Sequence, residues 1–154
     1  MRNFNEIDKK KKLSRIQLPE NPEGLTQEAL SQLENMIKAS LRDDNLQCAT
    51  AFKIAKQAKV PKIAVGELTD RLGFRITNCQ IGCFKVDKTV RDNVVQKKLV
   101  DEITPMLESL KQKDELTCVK VFELALQLKL TPMVITDVAN LRNWKIHHCQ
   151  LGCF

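Results

Sequence analysis

The chain has 154 residues, of which 43% are hydrophobic, 29% charged and 5% aromatic, and its formal net charge is +6. This composition is typical of a globular protein, whereas the low aromatic content and the lack of tyrosine argue against a large β-sandwich. No segment reaches the roughly 18 uninterrupted apolar residues that a membrane-spanning helix requires, so the sequence predicts no membrane partner.

Residues 1–24 are predicted to form a flexible basic tail and linker. Six basic residues precede position 16, against two acidic ones, so this segment holds most of the net charge. It lacks the apolar core of a secretion signal, which favours a cytoplasmic protein. Cysteines in that reducing compartment are expected to be metal ligands, redox thiols or small buried side chains rather than structural disulfides.

Two amphipathic helices are predicted with similar apolar faces. The first begins after an N-cap at Thr26, and the second covers residues 94–110. Pro105 is expected to kink or interrupt the second helix. The apolar faces carry Leu30, Leu33, Met36, Ile37 and Leu41 in the first helix, and Val100, Ile103, Met106, Leu107 and Leu110 in the second.

A further helix is predicted to follow each of these. Asp44 and Asp114 are of N-cap type, and Gln47 would complete a capping box in the first case. The two helices are expected to end near Ala58 and Leu128.

The third helix of each set is expected to begin near a proline and to end at a residue that tolerates left-handed backbone. These residues are Pro61 and Gly73 in the first set, and Pro132 and Asn143 in the second. Residues 74–76 and 144–146 alternate apolar and basic side chains, which indicates a very short extended segment.

The chain is therefore read as a tandem repeat with an offset of 70 residues. Between residues 46–84 and 116–154, 12 of 39 aligned positions are identical and three of these are cysteines, which suggests a shared reason to retain them. The predicted fold class is all-α, a pair of three-helix modules with very short extended segments. Module 1 covers residues 25–84 and module 2 covers residues 85–154, so that one chain would form a pseudo-dimer.

The cysteines are the candidate metal ligands. Each module ends on a CxxxC loop that contains a glycine, and a third cysteine lies near the start of the second helix, where the helix dipole favours thiolate. Three sulfurs per module suit an iron–sulfur cluster with one ligand from elsewhere. The six residues are Cys48, Cys79, Cys83, Cys118, Cys149 and Cys153.

Several alternatives remain open from the sequence. Zinc could replace the cluster, with His147 or His148 as a fourth ligand in module 2. One centre could also use the four sulfurs of the two CxxxC loops, and each loop could act as a thiol–disulfide switch. The cysteines could simply fill the core. No grouping of nucleophile, base and acid is evident, so an enzyme is not expected.

Residues 52–76 and 122–146 resemble helix-turn-helix DNA-binding segments. The matching positions are Ala55, Val60, Val65 and Leu68 in the first copy, and Ala125, Leu130, Ile135 and Val138 in the second. Lys59 and Lys129 stand where that family has a turn glycine. The resemblance implies that the third helix of each module faces the major groove, with Lys62, Thr69, Arg71, Asn140, Arg142 and Asn143 as candidate DNA contacts.

Together these features predict a cysteine-ligated metal or iron–sulfur protein that acts as a redox- or metal-responsive DNA-binding regulator. The alternative is an accessory protein that carries a metal or cluster, or helps to mature a metalloenzyme, through contacts with a protein partner.

Overall fold

A computed structural model describes residues 24–84 and 97–154. Within these ranges the chain is mostly helical, as predicted, with one small parallel sheet. The elements are α1 (Gln27–Ala39), β1 (Asn45–Gln47), α2 (Cys48–Ala58), α3 (Lys62–Arg71), β2 (Arg75–Thr77), α4 (Lys97–Gln112), α5 (Cys118–Leu128) and α6 (Pro132–Leu141). None of the described helices combines the length and apolar character that crossing a bilayer demands. The predicted basic tail lies outside the described residues, apart from Gly24.

The first helix of each set follows the sequence prediction closely. The Thr26 side chain accepts a hydrogen bond from the backbone N–H of Ala29 at 3.2 Å, which confirms the predicted cap of α1. Leu33 and Ile37 are fully buried on its apolar face. Pro105 lies inside α4 and does not interrupt it, because α4 runs from Lys97 to Gln112. Residues 94–96, which the prediction included, lie outside the described residues.

The predicted caps of α2 and α5 are wrong. Asp44 and Asp114 have φ angles of 58° and 57°, whereas an N-cap residue needs extended backbone. Thr117 is the N-cap of α5 and accepts from the N–H of Lys120 at 3.4 Å, while Gln47 precedes α2 without a side-chain cap. A cysteine is therefore the first residue of each helix, instead of lying four residues past a cap.

Left-handed residues end the helices at equivalent positions in the two copies. Lys59 and Lys129 both have a φ of 55°, so these lysines adopt the conformation that a turn glycine would supply. The predicted ends of α3 and α6 are confirmed, since Gly73 and Asn143 have φ angles of 79° and 55°.

The extended segment predicted after α3 forms β2. It pairs in parallel with β1, and Gln47 lies opposite Thr77. The second copy keeps a single bridge at the equivalent pair, Thr117 and His147. The sequence prediction missed β1, because its three residues are too few for an alternating pattern to show.

The described residues divide into two compact units. Unit 1 comprises residues 24–77 together with Leu151–Cys153, and unit 2 comprises residues 78–84 and 97–150 together with Phe154. Residues 78–84, which the sequence placed in module 1, thus belong to unit 2. Residues 151–153, which the sequence placed in module 2, belong to unit 1.

In unit 1, helices α1, α2 and α3 pack on one another, and β1 and β2 pack against α2. Its core is formed by fully or almost fully buried apolar side chains from each of these elements and from the 151–153 segment. They include Leu33, Ile37, Leu46, Ala51, Ile54, Val65, Ile76 and Leu151.

In unit 2, helix α6 packs on both α4 and α5. The core combines Ile103 and Leu107 of α4 with side chains of α5 and α6, and it also contains Cys79 and Ile81. The first CxxxC loop is therefore a structural part of unit 2.

Candidate functional site

The first CxxxC loop is a tight turn between Cys79 and Cys83. Asn78 and Gly82 have φ angles of 49° and 73°, and the N–H of Gly82 donates to the carbonyl of Cys79 at 2.8 Å. His148 and Gly152, the equivalent residues 70 positions later, have φ angles of 53° and 72°. The repeated loops share a backbone design that the sequence indicated only through the glycines.

The turn brings Cys79 and Cys83 together as a hydrogen-bonded pair. This hydrogen bond lowers the pKa of Cys79 from its ordinary value of 9.0 to about 6, against the opposing effect of burial. The backbone N–H groups of Cys83, Ile81 and Phe84 lower it further. The same hydrogen bond raises the pKa of Cys83. The hydrogen bond thus favours loss of the first proton of this pair and opposes loss of the second.

Replacing Cys83 by alanine should move the first ionisation of this pair upward from about 6 towards 9, because Cys79 loses its strongest donor. Cys83→Ser is the matched control, since serine keeps a donor and should leave the step nearer 6. The thiolate absorbance in the ultraviolet, followed as a function of pH, measures both. An unchanged step in the alanine variant would contradict the pairing.

Cys118 and Cys149 form a second hydrogen-bonded thiol pair in unit 2. Cys118 is the first residue of α5, and its N–H donates to the carbonyl of His147 at 3.1 Å. Gln150 donates from Nε2 to the Cys118 sulfur at 3.6 Å. The hydrogen bond with Cys149 and burial raise the pKa of Cys118, although Gln150 acts in the opposite direction. The sequence predicted that the start of the helix would favour a thiolate at Cys118, but the neighbouring sulfur and desolvation raise its pKa instead.

The two pairs influence each other electrostatically. Charges on Cys118 and Cys149 raise the pKa of Cys83, in addition to the effect of Cys79. Four of the six predicted ligands therefore lie in unit 2 as two interacting pairs. No three His, Cys, Asp or Glu side chains in residues 24–84 and 97–154 form a ready-made group that could hold a metal ion.

The other two cysteines belong to unit 1. Cys48 is the first residue of α2 and is buried, whereas Cys153 is exposed. The predicted triads thus do not coincide with the compact units, because Cys48 is in unit 1 while Cys79 and Cys83 are in unit 2.

His147 and His148 contact each other, and His147 also lies near Asp114. The two Nδ1 atoms of His147 and His148 are 2.5 Å apart, and Nε2 of His147 lies 3.4 Å from a carboxylate oxygen of Asp114. His147 also supplies the backbone groups that bridge to Leu116 and Cys118.

The candidate DNA contacts differ in their exposure. Thr69 is fully buried and its hydroxyl donates to the carbonyl of Val65 at 2.6 Å, so it cannot reach a base. The ammonium of Lys62 lies 4.3 Å from the centre of the Phe52 ring. The candidates at the ends of α3 and α6 are exposed, namely Arg71, Asn140, Arg142 and Asn143.

The 151–153 segment covers α3 at Gly66 within unit 1. Gly66 is buried, and a side chain there would meet the carbonyl oxygen of Leu151 at 1.9 Å. At Gly152 an added carbon would lie 2.8 Å from the end of the Ile63 side chain. The sequence prediction missed this contact, although an isolated glycine inside a helix is the usual signal of a close backbone approach.

The four side chains of the site that could bind a metal are all cysteines, and the side chain of Gln150 donates a hydrogen bond to one of them, Cys118. Comparisons with protein-family models, with curated proteins and with solved structures return no match to this chain. What the site can do therefore follows from its own side chains.

Proposed function

We propose that this protein binds a soft metal ion or an iron–sulfur cluster through Cys79, Cys83, Cys118 and Cys149, and that the bound state regulates its binding to nucleic acid. The observation that supports the first half is the presence of two interacting thiol pairs in one compact unit. Four thiolates are a complete ligand set both for structural zinc and for common iron–sulfur clusters.

Electrostatics favour a cation at these sulfurs. Without one, the neighbouring sulfurs and desolvation oppose the ionisation of Cys83 and Cys118 and raise their pKa values. A divalent ion reverses this repulsion, because metal binding replaces the thiol protons and releases them to solvent. The thiolate of Cys79 is available near neutral pH as a first ligand.

Binding one ion to all four sulfurs requires the two pairs to close on it. In the structure each pair satisfies its own hydrogen bond, and no three donors form a metal-holding group within the described residues. Cys83 is exposed and follows Gly82, so its position in the loop depends least on core packing.

The regulatory half is supported by the chain that links the ligands to α3. Cys149 precedes Leu151 by two residues, and the backbone of Leu151 covers Gly66 of α3. A metal that fixes Cys149 would therefore restrain the segment that covers this helix. The left-handed turns at Lys59 and Lys129 supply the geometry that a helix-turn-helix needs without its usual glycine.

The test of the metal site is anaerobic isolation of the full chain with metal and sulfide analysis, followed by titration of the apo-protein with zinc and cobalt. Cys83→Ser and Cys118→Ser should each weaken metal binding by more than the roughly 10–100-fold that is lost when a residue hydrogen-bonded to a metal ligand is removed. Cys153→Ser is the matched control, since Cys153 is an exposed cysteine of unit 1, and it should leave the affinity unchanged.

The same experiment decides among the competing functions. An apo-protein that binds neither ion nor cluster, or a Cys153→Ser variant as impaired as Cys83→Ser, would contradict the proposed metal site. A reversible Cys79–Cys83 disulfide in a chain that takes up no metal would instead favour a thiol–disulfide switch, which the lowered pKa of Cys79 supports. If the metal-loaded protein selects no enriched sequence from a pool of genomic DNA fragments, the alternative of a metal-delivery protein would be favoured.

A further inference from the structure

A row of lysines follows one edge of unit 1. Lys53 and Lys56 are exposed on α2, Lys59 is exposed at its left-handed end, and Lys62 begins α3. The four are spaced three residues apart, and residues 45–66 contain no aspartate or glutamate. We call Lys53, Lys56, Lys59 and Lys62 the lysine edge.

The charges of Lys53, Lys56 and Lys59 are not neutralised by an acid among the described residues. In the portion of the chain that the structure describes, Lys53, Lys56 and Lys59 make no ion pair, whereas Lys38 pairs with Glu34. The Phe52 ring lies beside the ammonium of Lys62, which favours one position for that charge. Three exposed lysines thus lie along a stretch of α2 and its end that contains no acid, while the ammonium of Lys62 lies against the Phe52 ring.

Unit 2 lacks this feature at the equivalent positions. Its residues 70 positions later are Glu123, Leu126, Lys129 and Pro132, and Glu123 pairs with Lys120 at 2.8 Å. The lysine edge is therefore a property of the first copy alone and does not follow from the fold that the copies share.

We propose that the lysine edge of unit 1 binds the phosphate backbone of nucleic acid, without reading bases. This inference rests on the nucleic-acid half of the proposed function, and it assigns the contact to α2, the α2–α3 turn and the first residue of α3 instead of to the later residues of α3. The backbone of Leu151 covers α3 at Gly66 and so occupies part of the surface that this helix could present to a groove. From Lys53 to Lys59 the chain advances about 9 Å, over which a duplex presents about five phosphate charges.

Nucleic acid fits this surface better than an anionic membrane does. Surface-bound segments combine basic residues with large apolar side chains that enter the acyl region. Among the described residues the exposed large hydrophobics are Val119, Leu126, Leu141 and Phe154, all of which belong to unit 2. Unit 1 therefore offers charge without an apolar anchor.

The test measures binding of the full chain to a fluorescent duplex of arbitrary sequence over a range of salt concentrations. The triple variant Lys53→Gln/Lys56→Gln/Lys59→Gln should reduce the slope of log affinity against log salt by about 3, since each neutralised phosphate contributes about 0.9. Glutamine keeps the helix propensity close to that of lysine, so the fold of α2 is preserved.

Lys97→Gln/Lys98→Gln/Lys129→Gln is the matched control, because it removes three exposed charges from unit 2 and includes the counterpart of Lys59. This control variant should keep most of the wild-type slope of log affinity against log salt. An equal loss in both triple variants, or a loss of binding to vesicles of anionic lipid but not to the duplex, would overturn the assignment of the lysine edge.

The outcomes separate this inference from the proposed function. A chain that binds the duplex normally after the triple substitution in unit 1 overturns the lysine edge and leaves nucleic-acid binding intact. A wild-type chain that binds no duplex in either metal state overturns both, while its metal content still reports on the thiolate site.

Discussion

Replacing Gly66 by alanine is expected to dislodge residues 151–153 from unit 1. The new Cβ would lie 1.9 Å from the carbonyl oxygen of Leu151 and 2.7 Å from its carbonyl carbon, distances that no folded protein tolerates. Both atoms are backbone, so no side-chain rotation relieves the clash. Either α3 or the 151–153 segment must move.

The expected cost is the burial of the Leu151 side chain, about 1.5–3 kcal/mol of unfolding free energy for a leucine that is 2% exposed. Denaturant unfolding of the full chain measures it. The sign of the change in unfolding free energy decides the question, because alanine in place of a solvent-exposed glycine would stabilise a helix by about 1 kcal/mol. A more stable Gly66→Ala variant would show that the close approach does not form.

Leu151→Ala provides the control for this mechanism. If Gly66→Ala acts by expelling Leu151, the double variant should be little worse than either single variant, because both remove the same contact. Additive losses would mean that alanine at position 66 strains α3 by another route.

Local chemistry explains why parts of this fold could be predicted. Thr26 caps α1, and Gly73 and Asn143 end α3 and α6, because each of these roles is decided by one residue and its nearest backbone. The predictions that Asp44 and Asp114 cap helices were wrong because a single residue type can suit more than one local role. Aspartate also tolerates left-handed backbone, and here it serves the turns that follow α1 and α4.

Contacts between distant parts of the chain could not be predicted. A glycine within α3 signals a close backbone approach, but nothing near Gly66 in the sequence names Leu151 as its partner. Likewise the CxxxC spacing predicted that Cys79 and Cys83 could meet, whereas the pairing of Cys118 with Cys149 depends on how the chain returns to the start of α5. The lysine edge was visible in the sequence, but its importance emerged only once Gly66 was found to be covered.

Ile81, which lies between Cys79 and Cys83, helps to hold these two cysteines in unit 2. Ile81 is 1% exposed and packs in the core that α4, α5 and α6 share. It sits inside the turn that joins the two cysteines, so its burial holds the whole loop against unit 2.

Ile81→Ala should therefore reduce the unfolding free energy by about 2–4 kcal/mol, the usual cost of such a truncation in a packed core. It should also loosen the turn, so that Cys79 loses hydrogen bonds from Cys83 and from the backbone and its pKa rises from about 6. Urea unfolding and the thiolate absorbance titration measure the two effects on one sample.

Leu126→Ala is the matched control within unit 2, because that side chain is 82% exposed and its truncation should change stability by less than about 0.5 kcal/mol. Equal effects of the two substitutions would mean that residues 78–84 do not belong to the core of unit 2. A destabilised Ile81→Ala variant that keeps its low thiolate step would instead separate the two roles, with the Cys79–Cys83 turn formed by its backbone alone and merely anchored by Ile81.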